Sequence, residues 1–163
     1  MNKMKQEKKL LPYVIGLPNL GVGLLWAMNM TLIPMLAATV TDSNQKVGFL
    51  ISMGAFTGMF VQIISGSLSD RSQFAMGKRK PFIILGSLMT TLFMCMMPFA
   101  RTYGLLFFVA FMFYVSLNFY QGPYYSLIPE QVPDEKLGLA NGFARVVSVL
   151  GGGFIFITGN MLW

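Results

Sequence analysis

The chain contains no histidine, one cysteine and few charges: of 163 residues, 12 are Lys or Arg and 6 are Asp or Glu, 11% in all. A soluble domain carries roughly 25% charged residues, so this composition does not suit a surface facing water. With no histidine, and Cys95 as the sole thiol, no His/Cys metal cluster, Cys–His nucleophile or disulfide framework can be assembled. No carboxylate falls within the long apolar runs, so the acid–base pair an intramembrane enzyme would use is missing too. Neither a metal nor an organic cofactor is expected. What is present is apolar: 55% hydrophobic residues, with 14 Met, 15 Phe and 17 Gly, and a mean hydropathy of +0.61. Met and Phe suit lipid-facing and adaptable interhelical surfaces, and Gly permits the close backbone approach by which membrane helices pack. The composition specifies an all-α integral membrane protein whose first partner is the lipid bilayer.

Crossing a bilayer takes about 20 apolar residues, and five runs qualify: about 10–40, 47–68, 81–100, 105–128 and 137–163. Residues 1–9 form a basic lead with Lys3, Lys5, Lys8 and Lys9. The first run is too long for the apolar core of a signal peptide, and no small-residue cleavage site closes it, so it is read as an uncleaved helix. Pro12, Pro18 and Pro34 predict bends in it. Five spans place alternate loops on opposite sides. Nine basic residues (the lead, Arg71, Lys78, Arg79, Lys80 and Lys136) then fall on one side and two, Lys46 and Arg101, on the other. The basic side is expected to be cytoplasmic, and with it the N-terminus. The net charge of +6 therefore marks topology. It is not spread over a soluble face interleaved with aromatics, and no nucleic-acid partner is expected.

The charged hairpin between the second and third runs reads Gly66-Ser-Leu-Ser-Asp70-Arg71, then Gly77-Lys78-Arg79-Lys80-Pro81-Phe82. Asp70 stands at the carboxyl end of its helix, where the macrodipole disfavours an anion, so it calls for cationic or amide partners. Arg71, Lys78 and Arg79 are available. Gly66, one turn earlier, would admit a close helix crossing, and a breakable ion pair beside such a crossing can serve as a gate. The plainer reading, a basic loop that only sets topology, stays open beside it.

These residues carry a resemblance. The hairpin resembles the loop signature between the second and third helices of the major facilitator superfamily, and its continuation the variant in the sucrose-symporter and glycoside-pentoside-hexuronide branches. Trp26-Ala-Met-Asn29, Val61-Gln62, Asn118-Phe-Tyr-Gln121-Gly122-Pro123 and Ala140-Asn141-Gly142 with Arg145 are similar to segments of the first, second, fourth and fifth helices there. The resemblance implies a cation-coupled sugar porter of the plasma membrane, with two six-helix halves and a substrate site between them near the midplane. Five helices would then be part of the N-terminal half. The chain is accordingly read as a fragment, split-gene product or truncated frame, inactive alone and calling for a C-terminal half as partner. A small scaffold or regulatory membrane subunit without transport is the other reading, and an adjacent open frame encoding seven helices would decide between them.

The resemblance does not extend to the coupling residues. Where melibiose-type members place cation-binding aspartates on the second helix, this chain has Gln62 and Gly58; where plant-type sucrose symporters carry an aspartate and an arginine on the fourth, it has Tyr114 and Tyr125. None of these side chains can bind a proton or sodium as a carboxylate does near neutral pH, which sets the coupling cation in doubt. For a polar path, Asn29, Gln62, Asn118 and Gln121 are amides inside apolar spans, able both to donate to and accept from sugar hydroxyls. Trp26, Tyr114 and Tyr120 offer rings for stacking on a sugar. The competing reading is that the amides only bond neighbouring helices. Arg145, about 10 Å into the fifth helix at 1.5 Å per residue, either faces a polar path or snorkels to the surface.

Overall fold

A computed structural model describes the backbone of residues 10–162 and the side chains of residues 10–158; the basic lead lies outside them. Helix α1 occupies 10–16, and a turn at 17–18 separates it from α2. The remaining helices are α2 (Asn19–Val40), α3 (Asn44–Arg71), α4 (Lys80–Met96), α5 (Tyr103–Gln131) and α6 (Asp134–Leu162). By length and hydropathy the described residues contain five spans, α1 with α2 forming the first. No strand is formed among the described residues, as expected where a bilayer forbids unpaired backbone groups.

The breaks have local causes. Pro18 cannot donate to the helical ladder and disfavours helical geometry at Leu17, and the turn falls on those two residues. Pro34, expected to bend the span as well, lies inside an uninterrupted α2. Three helices overrun the ends their polar residues suggested. α3 starts at Asn44, after Ser43 in extended backbone. α5 continues past Pro129 to Gln131, with the Val132 amide still donating to the Ile128 carbonyl at 3.0 Å. α6 starts at Asp134 because Asp134 and Glu135 in its first turn complement the positive end of the helix dipole. Pro81 opens α4, and α4 tightens into a 3-10 turn over Met97–Phe99, where Pro98 stops it.

The chain forms two compact units: residues up to Thr31 with those from Leu127 onward, and residues Leu32–Ser126. In the first, α2 and α6 meet backbone to backbone. A Cβ at Gly23 would collide with the Ser148 carbonyl, and one at Gly151 with the Leu20 carbonyl. Tyr13 meets Phe143 edge to face at 5.0 Å, and Ile128, Val132 and Ala140 form a buried apolar cluster against Ile15 and Leu137. In the second unit α5 is more enclosed than α3 or α4. Phe107 stacks on Phe49 of α3 at 5.9 Å, and Phe119 meets Phe82 of α4 at 5.6 Å with the rings tilted 35°. Large side chains such as Phe56, Ile63, Ile64, Leu88 and Val149 are exposed, the apolar exterior that a bilayer solvates.

Candidate functional site

The polar residues of the second unit converge on the face where α3 meets α5. Gln62 on α3 donates through Nε2 to Asn118 Oδ1 at 2.8 Å and to Gln121 Oε1 at 3.1 Å, both on α5. Asn118 Nδ2 donates in turn to Thr57 Oγ1 at 3.1 Å and to the Tyr114 carbonyl at 2.9 Å. Asn118, Gln121 and Thr57 are buried, while Gln62 is half-buried. Small residues make this approach possible: a Cβ at Gly122 would collide with the Gln62 carbonyl and the Ser65 hydroxyl, and one at Gly58 would crowd Asn118 Oδ1 at 3.2 Å. Three of the expected path residues, Gln62, Asn118 and Gln121, are thus brought into one hydrogen-bonded cluster.

Tyr114 is placed differently from expectation. Its ring is fully buried and packs against Gly54, where an added Cβ would lie 2.6 Å from Cε1. Tyr120 is likewise buried, its backbone and Cβ packed against Gly86 of α4. Thr57 was missed by sequence reasoning. The signal was the 3–4-residue spacing of Gly54, Thr57, Gly58, Gln62, Ser65 and Ser69, which marks one face of α3 as small and polar.

In the first unit, half-buried Trp26 lines an open apolar recess of about 280 Å³ with Gly23, Ala27, Met30, Ser148 and Phe156. Asn29 is buried, and neither of its amide atoms has a hydrogen-bond partner among the described residues. Arg145 is exposed on α6, one helical turn from Ser148 of the recess wall.

The hairpin between α3 and α4 is built around Arg79. Its Nη2 donates to Asp70 Oδ1 at 2.7 Å and its Nη1 to Ser69 Oγ at 3.2 Å. The guanidinium is 6% exposed and the carboxylate 57%, so the cation is held in protein while the anion faces outward. Of the three cations proposed for Asp70, Arg79 is its ion-pair partner; Arg71 and Lys78 are exposed. The turn closes through Gly77, whose φ of +97° is a left-handed conformation that favours glycine. The Gly77 amide donates to the Phe74 carbonyl at 2.9 Å. The Ser72 hydroxyl lies 2.9 Å from the carbonyls of Ser69 and Lys78. The expected close crossing at Gly66 is not found. A Cβ there would meet nothing within 4 Å among the described residues, because the small residue that lets α3 and α5 touch is Gly122, on the other helix.

Five apolar spans around a buried amide cluster describe a multi-pass membrane protein. The family model of the Major Facilitator Superfamily matches residues 6–156, and the chain belongs to that superfamily. Among curated proteins it is 32% identical over 79 residues to the sucrose transport protein SUT5 of Oryza sativa subsp. indica, covering 48% of this chain and 15% of that protein. It is 31% identical over 86 residues to the sucrose transport protein SUC3 of Arabidopsis thaliana, covering 53% and 14%. The matched chain thus spans about one seventh of the length of these relatives. No solved structure matches.

Proposed function

We propose that this chain supplies helices of the N-terminal half of a porter for a sugar or glycoside, which works by alternating access in the plasma membrane. The observation that carries this reading is the Gln62–Asn118–Gln121 cluster, uncharged donors and acceptors gathered within membrane spans. Amides suit a neutral polyhydroxylated solute, because each can donate to and accept from hydroxyl groups without the cost of burying an ion. The similarity to proteins named as sucrose transporters supports the same substrate class. The N-terminus and the hairpin holding Asp70 and Arg79 are assigned to the cytoplasmic side on the strength of the basic-residue asymmetry. In this reading the hairpin holding Asp70 and Arg79 is a cytoplasmic gate of that path. The role is that of a transporter and not an enzyme. Any coupling cation is held elsewhere than at Gln62 and Gly58, neither of which offers a carboxylate.

Disrupting the gene and following uptake of labelled sucrose, other glycosides, amino acids and phosphate tests the reading. It predicts a loss confined to a sugar or glycoside. A loss confined to another solute class, or none, would contradict it.

A further inference from the structure

We infer that the recess between α2 and α6, with Arg145 one helical turn beyond it, binds one anionic phospholipid of the cytoplasmic leaflet. Such a site lies in the first unit and is independent of the solute that the porter carries.

The recess is an open apolar hollow of about 280 Å³. A Cβ at Gly23 would collide with the Ser148 carbonyl, and one at Gly152 would lie 3.6 Å from the Gly23 carbonyl and 3.8 Å from Ala27 Cβ. The two helices therefore run side by side in the same direction, and both walls deepen together. Met30, Val149 and Phe156 line the hollow and are exposed, so it opens on the apolar exterior that acyl chains solvate.

Two polar side chains interrupt that exterior, and the protein satisfies neither. Arg145 is exposed and stands on the face of α6 that carries Val149, Gly152 and Phe156, which follow it by 4, 7 and 11 residues. Its guanidinium has no ion pair or hydrogen bond among the described residues. The carboxylates of its own helix, Asp134 and Glu135, are in the first turn, about 15 Å away along the axis. A cation so placed in a span calls for an anion. Ser148, half-buried in the recess wall, makes no side-chain hydrogen bond among the described residues. Thr57, Ser65, Thr90, Ser116 and Thr158, by contrast, each return the hydroxyl to their own helix.

The order of these groups along α6 is the order of groups in a phospholipid. Arg145 meets the phosphate, an oxyanion that a guanidinium holds through two parallel hydrogen bonds. Ser148, about 4.5 Å deeper, donates to an acyl ester carbonyl. From there to Phe156 the recess runs about 12 Å, most of the ~15 Å depth of one leaflet's hydrocarbon, and receives the chain. A lipid without net charge would fill the hollow and leave the guanidinium uncompensated; a free phosphate would meet Arg145 and leave the hollow empty. The basic-residue asymmetry assigns the start of α6, and with it the Arg145 end of the recess, to the cytoplasmic side, whose leaflet is the anionic one.

The test is native mass spectrometry of the full-length protein released from micelles holding equal amounts of dioleoylphosphatidylglycerol and dioleoylphosphatidylcholine. The unmodified protein should retain one phosphatidylglycerol about 5-fold in preference to phosphatidylcholine, the ratio that one cation near a membrane surface supplies. Arg145→Gln should bring the ratio to about onefold, while Arg101→Gln, which removes an exposed cation outside the first unit, should leave it unchanged. Gly152→Leu fills the hollow and should abolish retention of that lipid. Gly152→Ala, whose Cβ makes only ordinary contacts, guards against a folding defect and should keep it. Equal retention of the two lipids by the unmodified protein, an unchanged ratio in Arg145→Gln, an equal fall in Arg101→Gln, or a phosphatidylglycerol still held in Gly152→Leu would overturn the site and leave the porter reading standing.

Discussion

At the scale of single residues, the hairpin and the amide cluster obey one rule: a polar group in a membrane protein is placed where its partners are already fixed. Arg79 is buried because Asp70 and Ser69 receive it. The pair is asymmetric in exposure, so its net worth is discounted toward the 0–1 kcal/mol of a solvated ion pair. Gly77 is held at φ +97° by the turn that brings Arg79 back to Asp70. Gly77→Ala should therefore cost about 1–2 kcal/mol, read as an earlier midpoint in denaturant titration of the chain in micelles. An unchanged midpoint would show that the turn relaxes without cost. Gly66→Ala, at a site with nothing within 4 Å among the described residues, serves as the comparison and should be nearly neutral.

At the scale of elements, the α3–α5 contact depends on residues too small to hold the helices apart. Gly122→Val would drive a side chain into the Gln62 carbonyl and the Ser65 hydroxyl. Overpacking of this kind costs about 1–3 kcal/mol, and it should also separate Gln62 from Asn118. Loss of protection of the Asn118 side-chain amide in hydrogen exchange reads the separation directly; full protection in the variant would refute the contact. Much of this level was legible in the sequence. The five spans follow from run length, and the amides at Gln62, Asn118 and Gln121 stand out because an apolar run has few other polar side chains. Element ends were less legible: the polar residues at Asn44–Lys46 and Asp134–Lys136 look like loop by composition, yet satisfy a helix start through backbone geometry and dipole. The site's inner partner, Thr57, was easy to overlook on its small polar face because hydroxyls inside a span can bond their own helix, as Thr57 also does to Met53. Gly66 misled for the opposite reason. A glycine in a motif advertises close approach, but which helix supplies the small residue is settled only by packing.

At the scale of the whole molecule, the basic-residue asymmetry and the hairpin make linked predictions. With Cys95→Ala as background, single cysteines at positions 78 and 136 should resist an impermeant thiol reagent added to intact cells, while one at position 46 should react. Labelling at 78 but not at 46 would invert the topology. If the hairpin gates the cytoplasmic side, Asp70→Asn in the porter completed by its further helices should raise the accessibility of cytoplasmic-side cysteines. Sugar affinity should change less than about twofold, since the variant weakens a charge-assisted bond remote from the amide cluster. Unchanged accessibility with normal transport would reduce the motif to a topological signal.

The account turns on the claim that a neutral amide cluster on α3 and α5 meets the sugar. Equilibrium binding of labelled sucrose to the porter in lipid nanodiscs, compared among the unmodified protein, Asp70→Asn and Asn118→Leu, tests it most directly. Asn118→Leu keeps the volume of the side chain and removes the centre of the cluster, the residue through which Thr57 and Gln62 are joined. The account predicts saturable binding that persists in Asp70→Asn and falls at least about tenfold in Asn118→Leu, the loss of one or more buried hydrogen bonds. Binding of equal strength in all three forms of the porter, or none in the unmodified porter, would contradict it.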